Sequence, residues 1–167
     1  MLAVGQAWGT GAIGRTPDSG ILLMPLDADV SWAAVLRQLD GLPRKKGFFL
    51  TPPVGNIEHL PFLLEQTVAA ARRRSPDSPV QAVTAFDWQL ETRLPYYFQA
   101  GFALRAVRPL SGLAPEALLQ TGDWGEPVHW IALSDATGLS LLLARGWAAV
   151  QIRDEGSGCL LGLVPPT

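Results

Sequence analysis

The side chains best suited to nucleophilic or metal chemistry are few in this chain. It contains two histidines, His59 and His129, and one cysteine, Cys159. Neither of the metal-ligand spacings H-E-x-x-H and C-x-x-C occurs in the sequence, so no metal site is expected. No G-x-S-x-G elbow supports a serine nucleophile. Cys159, between Gly158 and Leu160, is better interpreted as a small buried apolar residue than as a nucleophile.

Glycines near the start of the chain form the pattern G-x-G-x-x-G at Gly9, Gly11 and Gly14. In a dinucleotide site this pattern follows a strand and opens a helix, with an acidic residue about 20 residues later. Here the turn sequence TPDSG follows where the helix is needed. We therefore interpret this region as a glycine-rich hairpin in which Leu2–Trp8 and Ile21–Leu26 pair as strands.

Length and composition bound the class of protein. At 167 residues the chain is long enough for one domain with a sizeable core. Its net charge of −2 gives no sign of a nucleic-acid partner or an anionic membrane. Charged residues make up 17%, against about 25% in typical proteins, which indicates either a well-filled core or burial against a partner. A single cysteine, no signal-peptide pattern and no long apolar run predict a cytoplasmic protein outside the membrane.

The clearest periodicity lies between Asn56 and Arg74. Six residues recur at the spacing of one helix face: Leu60, Leu63, Leu64, Thr67, Val68 and Ala71. Pro61 is tolerated only in a first turn, so the helix is predicted to begin near Asn56–His59. Three arginines complement the dipole at its end, and the sequence SPDSP then stops it.

Elements on either side of this helix are also predicted. An amphipathic helix is expected at Val30–Leu39 and a short apolar strand at Gly47–Leu50. The β-branched and aromatic residues of Val80–Trp88 predict a buried strand. The helix that follows ends at Gly101, which suits the left-handed conformation found after a helix C-terminus.

The rest of the chain alternates strands and helices. Four strands are predicted: Ala103–Val107, Val128–Leu133, Trp147–Arg153 and Cys159–Val164. The last two form a hairpin around DEGSG. Between the strands, the pattern predicts a short helix at Ala114–Leu119, a loop at Gly122–Pro127, and an apolar helix at Leu139–Arg145 that Gly146 caps. Together the elements predict a single α/β domain with a mixed central sheet of about six strands and helices on both faces.

Residues 47–133 contain, in order, the strand GFFL, the helix LPFLLEQTVAAARRR and the strand VQAVTAFDW, and then Tyr97 four residues before Gly101-Phe102. This order resembles the core of the GNAT superfamily of N-acyltransferases, in which a helix that ends on tyrosine–x–x–x–glycine–phenylalanine is common. The strand VHWIAL is similar to the closing strand of that family's sheet. The resemblance implies a GNAT-like fold and transfer of an acyl group from acetyl-CoA or another acyl-CoA to an unidentified amine.

The resemblance also implies roles for particular residues. Tyr97 matches the tyrosine that often lies near the acyl-CoA sulfur in the family and acts as a general acid, with Tyr96 as a neighbour able to replace it. The segment that would hold the cofactor lies at the start of the periodic helix, where backbone N–H groups can bind phosphate. Its residues are Val54, Gly55, Asn56, Ile57, His59 and Leu60.

A non-catalytic interpretation of the same segment stays open. The family's pyrophosphate loop is rich in glycine because its N–H groups must approach the phosphates closely, whereas Asn56, Glu58 and Leu60 occupy the expected glycine positions. The Glu58 carboxylate would also repel a bound pyrophosphate. Tyr97 would then be a core aromatic residue. The chain would be a GNAT-like binding or scaffold module that forms a homo-oligomer or binds a protein partner.

Overall fold

The structure is a computed structural model of the chain. It describes residues 12–15, 20–23, 25–26, 48–50, 54–55, 58, 60–74, 76–77, 79–110 and 113–167. Contacts between Cα atoms divide the chain into two compact units, Met1–Val83 and Thr84–Thr167. The prediction of a single domain over residues 1–167 stays a prediction.

Short strands of both orientations and one long helix make up the described part of the first unit. Its strands are β1 (Ala12–Arg15), β2 (Gly20–Leu23), β3 (Pro25–Leu26), β4 (Phe48–Leu50), β5 (Val54–Gly55) and β6 (Val80–Ala85), whose last two residues belong to the second unit. β1 and β2 are antiparallel, whereas β2 with β4, β4 with β6, and β3 with β5 are parallel. Parallel neighbours need a crossover connection, and helix α1 (Leu60–Arg74) supplies it between β4 and β6.

A hairpin is present near the start of the chain, and its second strand, β2, overlaps the predicted strand Ile21–Leu26. β1 pairs with β2 from Ala12↔Leu23 to Arg15↔Gly20, while Leu2–Trp8, Gly9, Gly11 and the predicted helix Val30–Leu39 lie outside the described residues. Gly14 lies inside β1, and the next described element is a strand. The glycine pattern therefore does not open a helix in the way that a dinucleotide site requires.

Helix α1 buries the predicted face. Five members of that face are buried: Leu60, Leu64, Thr67, Val68 and Ala71. Phe62, on the other side, is 55% exposed. The helix begins at Leu60, directly after the range Asn56–His59 in which its start was predicted, and Pro61 is in the first turn, where the missing N–H has no intrahelical acceptor to lose.

The second unit combines an antiparallel sheet with two helices. In chain order its elements are α2 (Leu90–Gln99), β7 (Phe102–Leu110), β8 (Leu113–Thr121), β9 (His129–Ala132), α3 (Ala136–Ala144), β10 (Ala148–Asp154) and β11 (Cys159–Val164). The strands lie in the order β8-β7-β10-β11-β9, each antiparallel to its neighbours. α2 contacts β7 and β10, and α3 contacts β7 and β9. The predicted α/β class with parallel and antiparallel pairing is confirmed, and none of the described helices is long and apolar enough to cross a membrane.

One secondary-structure prediction in this unit is wrong. The sequence predicted a helix at Ala114–Leu119, but these residues belong to β8, which pairs with β7 over almost its whole length. Ala117, Leu119 and Thr121 are buried and the residues between them are half-buried, which is the period of two expected of a strand. Alanine, glutamate and leucine favour helices intrinsically, and here pairing with β7 overrides that preference.

Gly162 on β11 has no side chain, so the side chains of Pro127 and Trp130 can pack directly against its backbone. A Cβ atom at this position would lie 2.8 Å from the Cβ of Pro127 and 2.9 Å from the Cη2 of Trp130. Trp130 is the cross-strand partner of Gly162, and the guanidinium of Arg153 stands 4.3 Å from the centroid of a Trp130 ring. The absence of a side chain at Gly162 is therefore what permits this packing.

We expect Gly162→Ala to lower the free energy of unfolding by about 1–3 kcal/mol, because the added methyl group overlaps atoms of Pro127 and Trp130 that have little room to move. Thermal melts should show a midpoint several degrees below that of the wild type. Gly125→Ala is the matched control, since nothing lies within 4 Å of a Cβ atom there. Equal midpoints for the two variants would contradict the packing described.

Candidate functional site

Tyr97 lies in the last turns of α2 and is fully buried, with 0% of its surface exposed. Its ring meets the ring of Phe102 edge-on, with 5.6 Å between centroids. Gly101 has a φ of 92°, and its N–H donates to the Phe98 carbonyl at 3.1 Å, which ends the helix. The tyrosine–x–x–x–glycine–phenylalanine pattern thus forms a helix stop that packs Tyr97 against the first residue of β7.

The hydroxyl group of Tyr97 makes no hydrogen bond within the described residues. Burial raises the pKa of Tyr97 well above its ordinary value, and the Arg93 charge and the nearby Thr84 hydroxyl offset only part of that rise. Thr84 lies close by, but the two hydroxyl groups do not reach hydrogen-bond geometry. Such a phenol stays protonated at neutral pH, and its surroundings must open before it can touch a substrate. The predicted role of Tyr97 as a general acid stays a prediction.

Arg93 is the charged side chain beside Tyr97, and the sequence did not single it out. Its Nη2 donates to the Ala85 carbonyl at 2.6 Å and to Asp87 Oδ1 at 2.8 Å. The same carboxylate oxygen accepts the N–H of Gln89 at 3.0 Å. These bonds join the end of β6 to the start of α2. Since Asp87 neutralises the guanidinium in a largely buried position, the cluster fixes the helix rather than offering a free charge to a ligand.

The residues predicted to hold an acyl-CoA are only partly described. Val54 and Gly55 form β5, and Leu60 is the fully buried first residue of α1. The other three lie outside the described residues: Asn56, Ile57 and His59. Glu58 is exposed just before the helix, where a carboxylate favours the helix dipole but opposes a bound pyrophosphate. The predicted binding of an acyl-CoA by this segment stays a prediction.

Cys159 is partly buried on β11, and His129 is exposed on β9. The thiol of Cys159 donates to Glu91 Oε2 at 3.4 Å. Partial burial, this hydrogen bond and the charges of Glu91 and Asp154 all raise the pKa of the thiol, so it holds its proton and is a weak nucleophile. His129 is exposed on β9 with its ring 6.0 Å from that of Trp147. Among the described residues, no three His, Cys, Asp or Glu side chains gather as metal ligands would.

An open cleft of about 540 Å³ lies in the second unit. Its walls are the loop after β8, the turn at Gly146 and the segment 164–167. The side chains that carry its chemistry are Arg105, Gln120, Asp123, Trp124 and Glu126. From the sequence this loop was predicted only as a connection. A tryptophan between two glycines and two acids, in GDWGE, is the signal that marks it.

Comparison with known proteins found no relative. No protein-family model, curated protein or solved structure significantly matches the chain. The resemblance to GNAT acyltransferases therefore rests on the residues and the order of elements between positions 47 and 133, and the cleft is judged on its own geometry.

The buried phenol of Tyr97 should make the protein less stable as the pH rises into the alkaline range. The folded state keeps the Tyr97 proton that an unfolded tyrosine loses above about pH 10, so the free energy of unfolding should fall as pH rises, by up to about 1.4 kcal/mol per unit. Tyr97→Phe removes this loss. At neutral pH it should leave the melting midpoint unchanged or raise it, because an unpaired buried hydroxyl disappears.

Thermal melts between pH 8 and pH 11 measure this slope, with Tyr96→Phe as the matched control that keeps Tyr97. We expect the control to follow the wild type and Tyr97→Phe to lose less stability above pH 10. Identical slopes for all three proteins would show that Tyr97 does not sit in the apolar environment described.

Proposed function

We propose that the chain is a non-catalytic α/β module that pairs with a second copy of itself through strand β9. The observation that carries the proposal is the open edge of this strand. In the described part of the chain, β9 pairs with β11 on one side and with no strand on the other.

The backbone of β9 offers hydrogen-bonding groups to a partner. The Leu133 N–H donates to the Cys159 carbonyl on β11 at 2.8 Å. Residues alternate along an antiparallel strand, so the N–H and C=O groups of Trp130 and the N–H of Ala132 point to the open side, whereas the Ala132 carbonyl already accepts the Asp135 N–H at 3.0 Å. A second copy in antiparallel orientation would meet the same groups reciprocally, as a two-fold interface requires.

The side chains around this edge do not protect it from pairing. Natural edge strands are usually blocked by lysine, another charge or proline, yet the sequence VHWIAL at 128–133 contains none of these. Val128 is 68% exposed, and Leu141 on α3, a helix that contacts β9, is 55% exposed. A net charge of only −2 leaves little repulsion between two copies.

Burial of Tyr97 supports the non-catalytic interpretation. Tyr97, to which the resemblance first gives the role of general acid, has 0% of its surface exposed. Burial raises the pKa of its hydroxyl group. The neighbouring charge is that of Arg93, which Asp87 already neutralises. A proton donor must lie within hydrogen-bond distance of its substrate, and a sealed phenol does not meet that condition.

Light scattering during size-exclusion chromatography tests the pairing. We expect the wild type to have twice the chain mass of 17.9 kDa at about 100 μM, and Val128→Lys to have the mass of one chain because two charges would meet at the edge. Ala132→Pro should act in the same way, since it removes an outward N–H.

Two controls separate the edge from general effects of surface charge. Val128→Thr keeps a β-branched, uncharged side chain, and Trp88→Lys places a charge at another exposed apolar position, 82% exposed. Both should keep the doubled mass. A wild type that elutes as one chain, or a doubled mass in both Val128→Lys and Ala132→Pro, would reject β9 as the interface.

A second candidate function is acyl transfer from an acyl-CoA to an amine. The order of elements favours it, since a strand, helix α1, strand β6 and a helix ending at Gly101 occur in sequence. The N-terminus of α1 also supplies the dipole that attracts phosphate groups. Glu58 opposes this candidate by its charge.

Thermal melts with an excess of acetyl-CoA test the second candidate. A ligand at 100 times its dissociation constant adds about 2.7 kcal/mol to the folded state and raises the midpoint by several degrees. If the helix N-terminus holds the cofactor, Glu58→Gln should increase the shift, because it removes a negative charge beside the pyrophosphate. No shift at millimolar ligand in either protein would reject cofactor binding.

A further inference from the structure

We infer that the cleft between the loop after β8 and the turn at Gly146 binds a small zwitterion of amino-acid or dipeptide size, with Arg105 receiving the carboxylate and Asp123 receiving the ammonium group. Its volume of about 540 Å³ lies within the range of small-molecule sites. This inference does not depend on self-pairing through β9 or on acyl transfer.

The floor of the cleft is held in place before any ligand arrives. The indole Nε1–H of Trp124 donates to the Gly101 carbonyl at 3.3 Å, and the ring packs against a core cluster of Ala103, Ala148 and Val164. A Cβ atom at Gly122 would lie 3.1 Å from the same ring, so glycine allows the loop to pass close to it. A fixed aromatic wall costs little entropy to use in binding.

Arg105 presents a guanidinium to the cleft without an acidic partner. Its Cζ stands 5.4 Å from the centroid of a Trp124 ring, in a cation–π contact. Arg93, Arg108 and Arg153 each form an ion pair, whereas Arg105 has neither an ion pair nor a hydrogen bond with a described residue. A stacked, half-buried guanidinium with free donors suits a carboxylate, which it can bind through two parallel hydrogen bonds.

Two carboxylates also line the cleft. Asp123 is exposed and makes no hydrogen bond or ion pair with a described residue. Glu126 accepts a hydrogen bond from Gln151 Nε2 at 3.3 Å. Neither carboxylate pairs with Arg105, although all three side chains line one cleft. The lining of the cleft thus contains side chains of opposite charge that do not pair with each other.

The combination of charges selects the chemical class. A simple anion such as a phosphate would be attracted by Arg105 but repelled by Asp123 and Glu126. A simple cation would be attracted by the two carboxylates but repelled by Arg105. A molecule with both a carboxylate and an ammonium group satisfies both ends. Its apolar part would lie against Trp124 and Val164, which supply the apolar wall.

Nuclear magnetic resonance of the full ¹⁵N-labelled chain tests the inference. The probes are leucine, phenylalanine and the dipeptide Ala-Phe, each at up to 10 mM, and the readouts are the Gly122 amide and the Trp124 indole resonance. We expect at least one probe to shift both signals in a saturable manner. Its C-terminal amide and its N-acetyl derivative should each bind about tenfold more weakly, because each lacks one charged hydrogen-bonding group.

Variants assign each charge to its side chain. Arg105→Gln should weaken the parent probe about tenfold and leave little difference between the probe and its amide, and Asp123→Asn should do the same for the N-acetyl derivative. Arg108→Gln and Asp154→Asn are matched controls, because each removes the same charge from the second unit at a residue that does not line the cleft. If Arg105→Gln fails to fold, Arg105→Lys replaces it as the test variant, because it retains the charge.

Gly125→Phe provides an independent block of the cleft. A Cβ atom at this lining position meets nothing within 4 Å, so a larger side chain has room to start there, and we expect the phenyl ring to abolish the shifts. No shift with any of the three probes would overturn the inference. So would equal affinity of the probe, its amide and its N-acetyl derivative, or wild-type affinity in Gly125→Phe.

Discussion

The second unit depends on one backbone turn, at Gly101. Its φ of 92° is a conformation that L side chains rarely adopt. That turn ends α2, starts β7 and directs the Gly101 carbonyl toward the loop after β8. The carbonyl accepts two hydrogen bonds, from the Gly122 N–H and from the Trp124 indole, both at 3.3 Å. The burial of Tyr97 and the position of the cleft floor therefore both follow from the same turn.

Local patterns could be predicted from the sequence because their causes are local. The buried face of α1, the helix stop at Gly101 and the hairpin of β10 with β11 follow from spacing, glycine and turn residues. β8 was mistaken for a helix since its pairing with β7 decides its conformation. The cleft was missed for the same reason: Arg105 on β7 meets Trp124 only through the register in which Ala103 lies opposite Gln120.

Residue type and residue environment point in different directions at Tyr97. A tyrosine four residues before a glycine matches the position of the family's proton donor. The environment of Tyr97, however, excludes solvent and leaves the hydroxyl group without a partner among the described residues. An aromatic ring contributes more to a core through packing than its hydroxyl costs. Arg93 beside it follows the same rule, since its charge is used to join β6 to α2 through Asp87. The Arg93–Asp87 pair thus stabilises the fold, whereas the less buried Arg105 has no ion-pair partner among the described residues.

The place of β9 in the sequence also affects how the chain folds during its synthesis. Among the described strands it pairs only with β11, although α3 and β10 lie between them in the sequence. During synthesis at roughly 5–20 residues per second, β9 leaves the ribosome on the order of seconds before its partner. For that interval both edges of β9, which contains no lysine, arginine, acidic residue or proline, are unpaired. Unpaired edges expose a nascent chain to mispairing, and the helix α3, which contacts β9, is the first element made after this strand.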